Sequence, residues 1–113
     1  MTYKYFTDEE ANGLDAELMS KLDTARHVSG VPFFITSGKR TADSNTSAGG
    51  VEDSSHLKGL AVDLRVTGDD TRYLMVKGLL AAGFTRIGLY SSHIHVDLDS
   101  EKNAERLWVG VSH

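Results

Sequence analysis

Gly59-Leu60-Ala61-Val62-Asp63-Leu64-Arg65-Val66 alternates without a break: Leu60, Val62, Leu64 and Val66 fall on one side, Ala61, Asp63 and Arg65 on the other. Successive side chains of a strand point to opposite faces, so the stretch predicts a β-strand over residues 59–66 with one face on a core. His93-Ile94-His95-Val96-Asp97-Leu98 repeats the pattern, with Ile94, Val96 and Leu98 opposite His93, His95 and Asp97. If the two strands share a sheet, Asp63 and His95 meet over its polar face while the core lies beneath.

The flanking sequence supplies the other elements. Thr7-Asp8-Glu9-Glu10 is a capping box, and apolar residues at Ala11, Leu14, Leu18, Leu22 and Ala25 keep three-to-four spacing. Ser29-Gly30 with Pro32 beyond supplies a stop, so a helix is expected over residues 8–28, weakened near its start by Gly13. Residues 31–36 are apolar and β-rich and read as a buried strand. Residues 41–55 hold Asp43, Ser44, Asn45, Thr46, Ser47, Gly49 and Gly50 with almost nothing to bury, the composition of a long functional loop. Asp69-Asp70 is expected to cap a second helix through Ala82, stopped by Gly83. Residues 84–90 and 94–98 read as two further strands joined through Ser91-Ser92. This order predicts an α+β fold, one small domain over residues 1–113, with two helices packed on one face of a mainly antiparallel sheet.

Composition narrows the function. The chain has 113 residues, 40% of them hydrophobic and 25% charged, enough for a core without covalent staples. No apolar run is long enough to span a membrane, and no basic-then-apolar leader opens the chain. Its twelve Lys and Arg are spread out and the net charge is -4, which argues against nucleic acid as a partner. With zero cysteines, any metal must be held by His, Asp or Glu.

Ser54-Ser55-His56-Leu57-Lys58-Gly59 leads into the first alternating strand. His56 and Asp63, seven positions apart, together with the later His95, make two neutral nitrogens and one anionic oxygen. That is the protein ligand set of a catalytic Zn²⁺ with its fourth position open. Gly59 permits a turn that brings His56 back over Asp63, and Ala61 keeps the position facing the metal small. Each piece alone has an ordinary explanation: a solvated Asp on a strand's polar face, a loop His, alternate polar residues on an exposed strand. An exposed face does not by itself call for imidazoles in place of Lys, Thr or Glu. His27 and His113 have no partner pattern and read as surface residues.

These residues resemble the zinc D-Ala-D-Ala carboxypeptidase family of murein metallopeptidases, whose relatives include phage L-alanyl-D-glutamate endopeptidases and the metal-binding domain of hedgehog signalling proteins. The motif S-x-H-x-x-G-x-A-x-D is filled by Ser54, His56, Gly59, Ala61 and Asp63, and H-x-H-V-D by residues 93–97. Residues 36–41, Thr-Ser-Gly-Lys-Arg-Thr, look like the family's S-G-x-R-S/T element, and Gly88-Leu89-Tyr90 leading into His95 is also similar. The resemblance runs over residues 6–99 and implies a hedgehog/D-Ala-D-Ala peptidase-like fold.

By that resemblance His56, Asp63 and His95 are the ligands of one zinc ion. Arg40 falls on the arginine that binds and polarises the scissile region, and His93 falls where carboxypeptidase-type members keep a catalytic histidine. The branch that uses an acid three residues before the last ligand has Ser92 here, which cannot serve as a base. A Zn²⁺ with these ligands carries a net charge of about +1, enough to draw the pKa of bound water towards 7 and polarise an amide. His93 would take the water proton and return it to the leaving amine, a role worth about 10²–10⁴-fold. Arg40 offers a planar cationic fork for a substrate carboxylate or an oxyanion. Ser54 is a candidate substrate contact, and Asp97 a candidate to orient His93 or His95 from behind. The implied substrate is the peptidoglycan stem peptide, cut beside a D-amino acid by a monomer made without a signal peptide, acting at the wall or periplasm and encoded by a phage or prophage. The alternatives are L-Ala-D-Glu endopeptidase activity and a zinc-stabilised binding domain without turnover.

Overall fold

The computed structural model describes residues 3–37, 59–99 and 105–110, so the expected loop over residues 41–55 lies outside the described residues. The helix expected over residues 8–28 is two helices. Thr7 caps α1 (Asp8–Ala11) with both halves of the capping box in place: the Thr7 hydroxyl accepts the Glu10 N–H at 3.1 Å, and the Glu10 carboxylate accepts the Thr7 N–H at 2.8 Å. The chain then turns through Gly13 at φ 79°, and Asp15 begins a new helix, α2 (Ala16–Ser29), by accepting the N–H groups of Glu17 and Leu18. Gly30 ends it in the left-handed conformation.

The third helix, α3 (Asp69–Ala81), has Gly68 at its N-cap with no side-chain cap bond. Asp69 and Asp70, expected as caps, stand inside the first turn instead, where their charge suits the helix dipole.

Among the described residues five strands form one sheet: β1 (Ile35–Ser37), β2 (Ala61–Arg65), β3 (Arg86–Leu89), β4 (His93–Asp97) and β5 (Arg106–Val109), in the order β1-β2-β4-β3-β5. All neighbours are antiparallel except β3 and β5, which are parallel. The fold is therefore α+β with a mainly antiparallel, strictly mixed sheet. The fifth strand was not expected.

The alternation predicted for β2 and β4 sets the two faces. Val62, Leu64, Ile94, Val96 and Ile87 turn to the helices and join Leu18, Met19, Leu22 and Ala25 of α2, Met75 and Leu79 of α3, and Phe6, Phe33 and Phe84 in one buried cluster. Each large side chain removed from water there contributes about 1.5–3 kcal/mol, which fixes the register of the strands. The other face carries the ionisable residues. Its start is pinned at Gly59, which has φ +73° and no room for a Cβ against the carbonyl oxygen of Gly13, and whose own carbonyl accepts the Asp15 N–H at 2.8 Å. Among the described residues no helix is long and apolar enough to cross a membrane.

Candidate metal and catalytic site

In the β2–β4 ladder Asp63 is the direct partner of His95, Arg65 of His93, and Ala61 of Asp97. Directly opposed side chains share a face at about 4.5–5.5 Å between Cβ atoms, so the register alone brings the carboxylate to the imidazole. Asp63 Oδ1 lies 3.1 Å from His95 Nδ1. The pairing of β1 with β2 is irregular between Ile35 and Ser37, beside the Ser37–Asp63 pair, a bulge of the kind that re-aims a strand next to a site. Ala61, expected to leave space at a metal, is fully buried across from Asp97.

The other nitrogen of His95 is also held. Nε2 lies 2.8 Å from Asp97 Oδ2, and Asp97 is 1% exposed. Its second oxygen accepts the Arg86 Nε–H at 2.7 Å and the Asp99 N–H at 3.1 Å. Of the two imidazoles considered for Asp97, His95 is the one its carboxylate is hydrogen-bonded to. Burial disfavours a charged ring at His95, but hydrogen bonds and charge from Asp63 and then Asp97 outweigh it, so the ring keeps its proton above the ordinary histidine value. Burial also works against the Asp97 carboxylate, yet the bonds from His95, Asp99 and Arg86 hold it below its ordinary range.

This arrangement suits a cation between Asp63 and His95. With Nε2–H donated to Asp97, the Nδ1 lone pair faces a carboxylate oxygen. Two acceptors 3.1 Å apart repel unless a positive centre lies between them, and a proton or a metal ion serves. Zinc bonds of about 2.0–2.1 Å in a tetrahedral shell put neighbouring donor atoms about 3.3 Å apart, close to the spacing found. The carboxylate behind the ring is the usual outer partner of a metal-bound histidine.

Of the three expected ligands, Asp63 and His95 come together, while His56 lies outside the described residues, as do Arg40 and Ser54. Among the described residues no group of three or more His, Cys, Asp or Glu forms a metal cage. His93 stands two residues before His95 on the same face, its ring stacked on Tyr90 at 4.5 Å between centroids and 7° between planes. Ser92 is at the hairpin between β3 and β4, exposed, with its carbonyl accepting the Val66 N–H. His27 is exposed, its Nδ1 2.8 Å from the Tyr5 hydroxyl, and His113 lies outside the described residues.

Two neighbours of the site were missed in the sequence. Arg86, the partner of Asp97, alternates with Gly88 and Tyr90 along β3, a period-two signal within a strand already expected. Trp108 lies on β5 with its ring centroid 5.7 Å from that of His95. Its alternation with Arg106 and Gly110 is the same kind of signal, but only three residues long.

No curated protein matches the chain significantly. The family model for peptidase M15 matches residues 4–99, which include α1 to α3, β1 to β4, the paired Asp63 and His95, and the histidine motifs that surround them. The chain belongs to the peptidase M15 family.

Proposed function

We propose that this peptidase is zinc-dependent and hydrolyses an amide bond beside a D-amino acid in the peptidoglycan stem peptide, in the manner of a D-Ala-D-Ala carboxypeptidase. The observation that carries the reading is the clamped imidazole: His95 stands between Asp63 at Nδ1 and Asp97 at Nε2, with a second histidine on the same strand face. His56, Asp63 and His95 would hold the metal. When bound, zinc supplies Lewis acidity, polarising the amide carbonyl and lowering the pKa of water.

The chain's own residues do the rest. Asp97, fixed by Arg86 and the Asp99 N–H, holds one His95 proton on Nε2, so the proton that a metal would displace is the one on Nδ1, facing Asp63. With a metal held in place of that proton, Asp63, His95, Asp97 and Arg86 would together carry a net charge of +1 with the ion, which would favour a developing oxyanion. His93 takes the proton of the attacking water and delivers it to the leaving amine. Arg40 would bind the substrate carboxylate or the oxyanion, and Ser54 the peptide. Such a substrate places the reaction at the cell wall.

Mass analysis of muropeptides after incubation with the zinc-loaded protein tests the reading. Loss of a terminal D-alanine from pentapeptide stems is expected. Separation of L-alanine from D-glutamate would replace the bond assignment with the endopeptidase one. Unchanged muropeptides with zinc bound would leave a binding domain in place of an enzyme.

A further inference from the structure

β5 lies beyond residues 4–99, yet it reaches the site. It pairs with β3 so that Trp108 stands beside Gly88. Gly88 has no side chain to keep the indole off the strand: a Cβ there would lie 2.5 Å from Trp108 Cε2. The indole therefore lies across the backbone of β3, between Arg86, whose guanidinium is 5.2 Å from the ring, and Tyr90. Its Nε1–H donates to the Tyr90 hydroxyl at 3.1 Å. Gly110, two residues on, is held so closely by the Tyr90 ring that it also has no room for a Cβ. Tyr90 is thus fixed by β5 at its hydroxyl and along its ring edge, and His93 stacks on its face.

We infer that Trp108 is a positioning residue: through the hydrogen bond to Tyr90 it sets the place of the His93 ring over the polar face of the sheet. The inference rests on the proposed role of His93, but its structural half stands without it. A half-buried imidazole at a strand end has more than one rotamer open to it. A stacked one is confined, and a well-placed aromatic pair is favoured enough to change the population of the working rotamer about three- to tenfold.

Two conservative variants isolate the bond. Trp108→Phe keeps an aromatic ring near Gly88 and removes the indole N–H together with part of the ring area, and Tyr90→Phe keeps the stack and removes only the acceptor, so a shift common to both reports the bond. The first readout is NMR of the His93 ring protons in the zinc-loaded protein, which the face of Tyr90 shifts by its ring current. Both variants are expected to move these resonances towards those of an unstacked histidine, with the melting temperature and zinc stoichiometry kept. The second readout is steady-state hydrolysis of a stem peptide: each variant should lower kcat about three- to tenfold with KM unchanged, and the double variant no further. Unmoved His93 resonances in Trp108→Phe would overturn the inference, as would a double variant whose loss is the product of the two single losses. Should the wild type hydrolyse no stem peptide, the proposed function falls and the His93 resonances still decide the positioning.

Discussion

Asp97→Asn should weaken zinc binding without disturbing the fold, because of where the three donors to Asp97 sit. One carboxylate oxygen accepts two N–H groups, from Arg86 at 2.7 Å and Asp99 at 3.1 Å, and the other accepts one, from His95 at 2.8 Å. An amide has only one acceptor oxygen. Turned towards Arg86 and Asp99 it keeps two bonds, one to a cation, so its NH₂ faces His95 Nε2. The imidazole must then accept there and carry its proton on Nδ1, the atom that faces Asp63. A metal must displace that proton and force a tautomer that the Asn no longer supports. Loss of such an outer partner typically costs 10–100-fold in metal affinity, equivalent to about 1.4–2.8 kcal/mol. The volume of the side chain is unchanged, so the loss of stability should be limited to the weakened bonds at Arg86 and His95, about 1–3 kcal/mol. Competition for zinc against a chromophoric chelator at fixed pH measures the first quantity, and thermal unfolding of the metal-free protein the second. A zinc Kd within twofold of wild type for Asp97→Asn would refute the reasoning, since it would mean that His95 binds metal without help from Nε2.

Three further outcomes follow from the same geometry. In the metal-free protein His95 has a raised pKa, so its contribution to stability is full below the unfolded value near 6.5 and is lost as pH rises through the raised folded value; the melting temperature should therefore fall as pH rises above about 6.5, while Asp97, with a lowered pKa, withdraws its contribution only as pH falls through its depressed value. A melting temperature that rises steadily as pH increases above about 6.5 would contradict the Asp63–His95–Asp97 pairing. Trp108 is the only tryptophan and lies 5.7 Å from the ring of His95, so Cu²⁺ or Co²⁺ bound there should quench the intrinsic fluorescence, and His95→Ala should remove the quenching. Gly88→Ala puts a methyl group within 2.5 Å of the indole, and should destabilise the fold by about 1–3 kcal/mol, read by urea unfolding, as β5 is pushed off β3.

The strands that build the site were legible because burial of one face forces a period-two pattern. Val62 and Leu64, Ile94 and Val96 could only lie beneath, which left Asp63 and His95 above, and the ladder then set them directly opposite each other. The first helix was misjudged because its apolar spacing runs on from Ala11 through Leu14 to Leu18, while the chain breaks at Gly13 and restarts on the Asp15 side-chain cap. A hydrophobic period reports which residues face the core and passes over a turn that keeps them in phase. β5 was hidden for a different reason: Leu107 is 62% and Val109 82% exposed, so this edge strand has little burial to impose a pattern. With it went Trp108, and Arg86 was overlooked because its role depends on a pairing across strands. Arg40, Ser54 and His56 rest on the sequence alone.

The proposed zinc site turns on which atoms of β2 and β4 would hold a metal. Diffraction from crystals of the zinc-loaded protein, recorded on both sides of the zinc absorption edge, locates the ion directly. The geometry of the Asp63–His95 pair predicts an anomalous peak about 2.0–2.1 Å from His95 Nδ1 and in bonding contact with Asp63, with Asp97 still on Nε2. A peak on Nε2, or no zinc between Asp63 and His95, would contradict it.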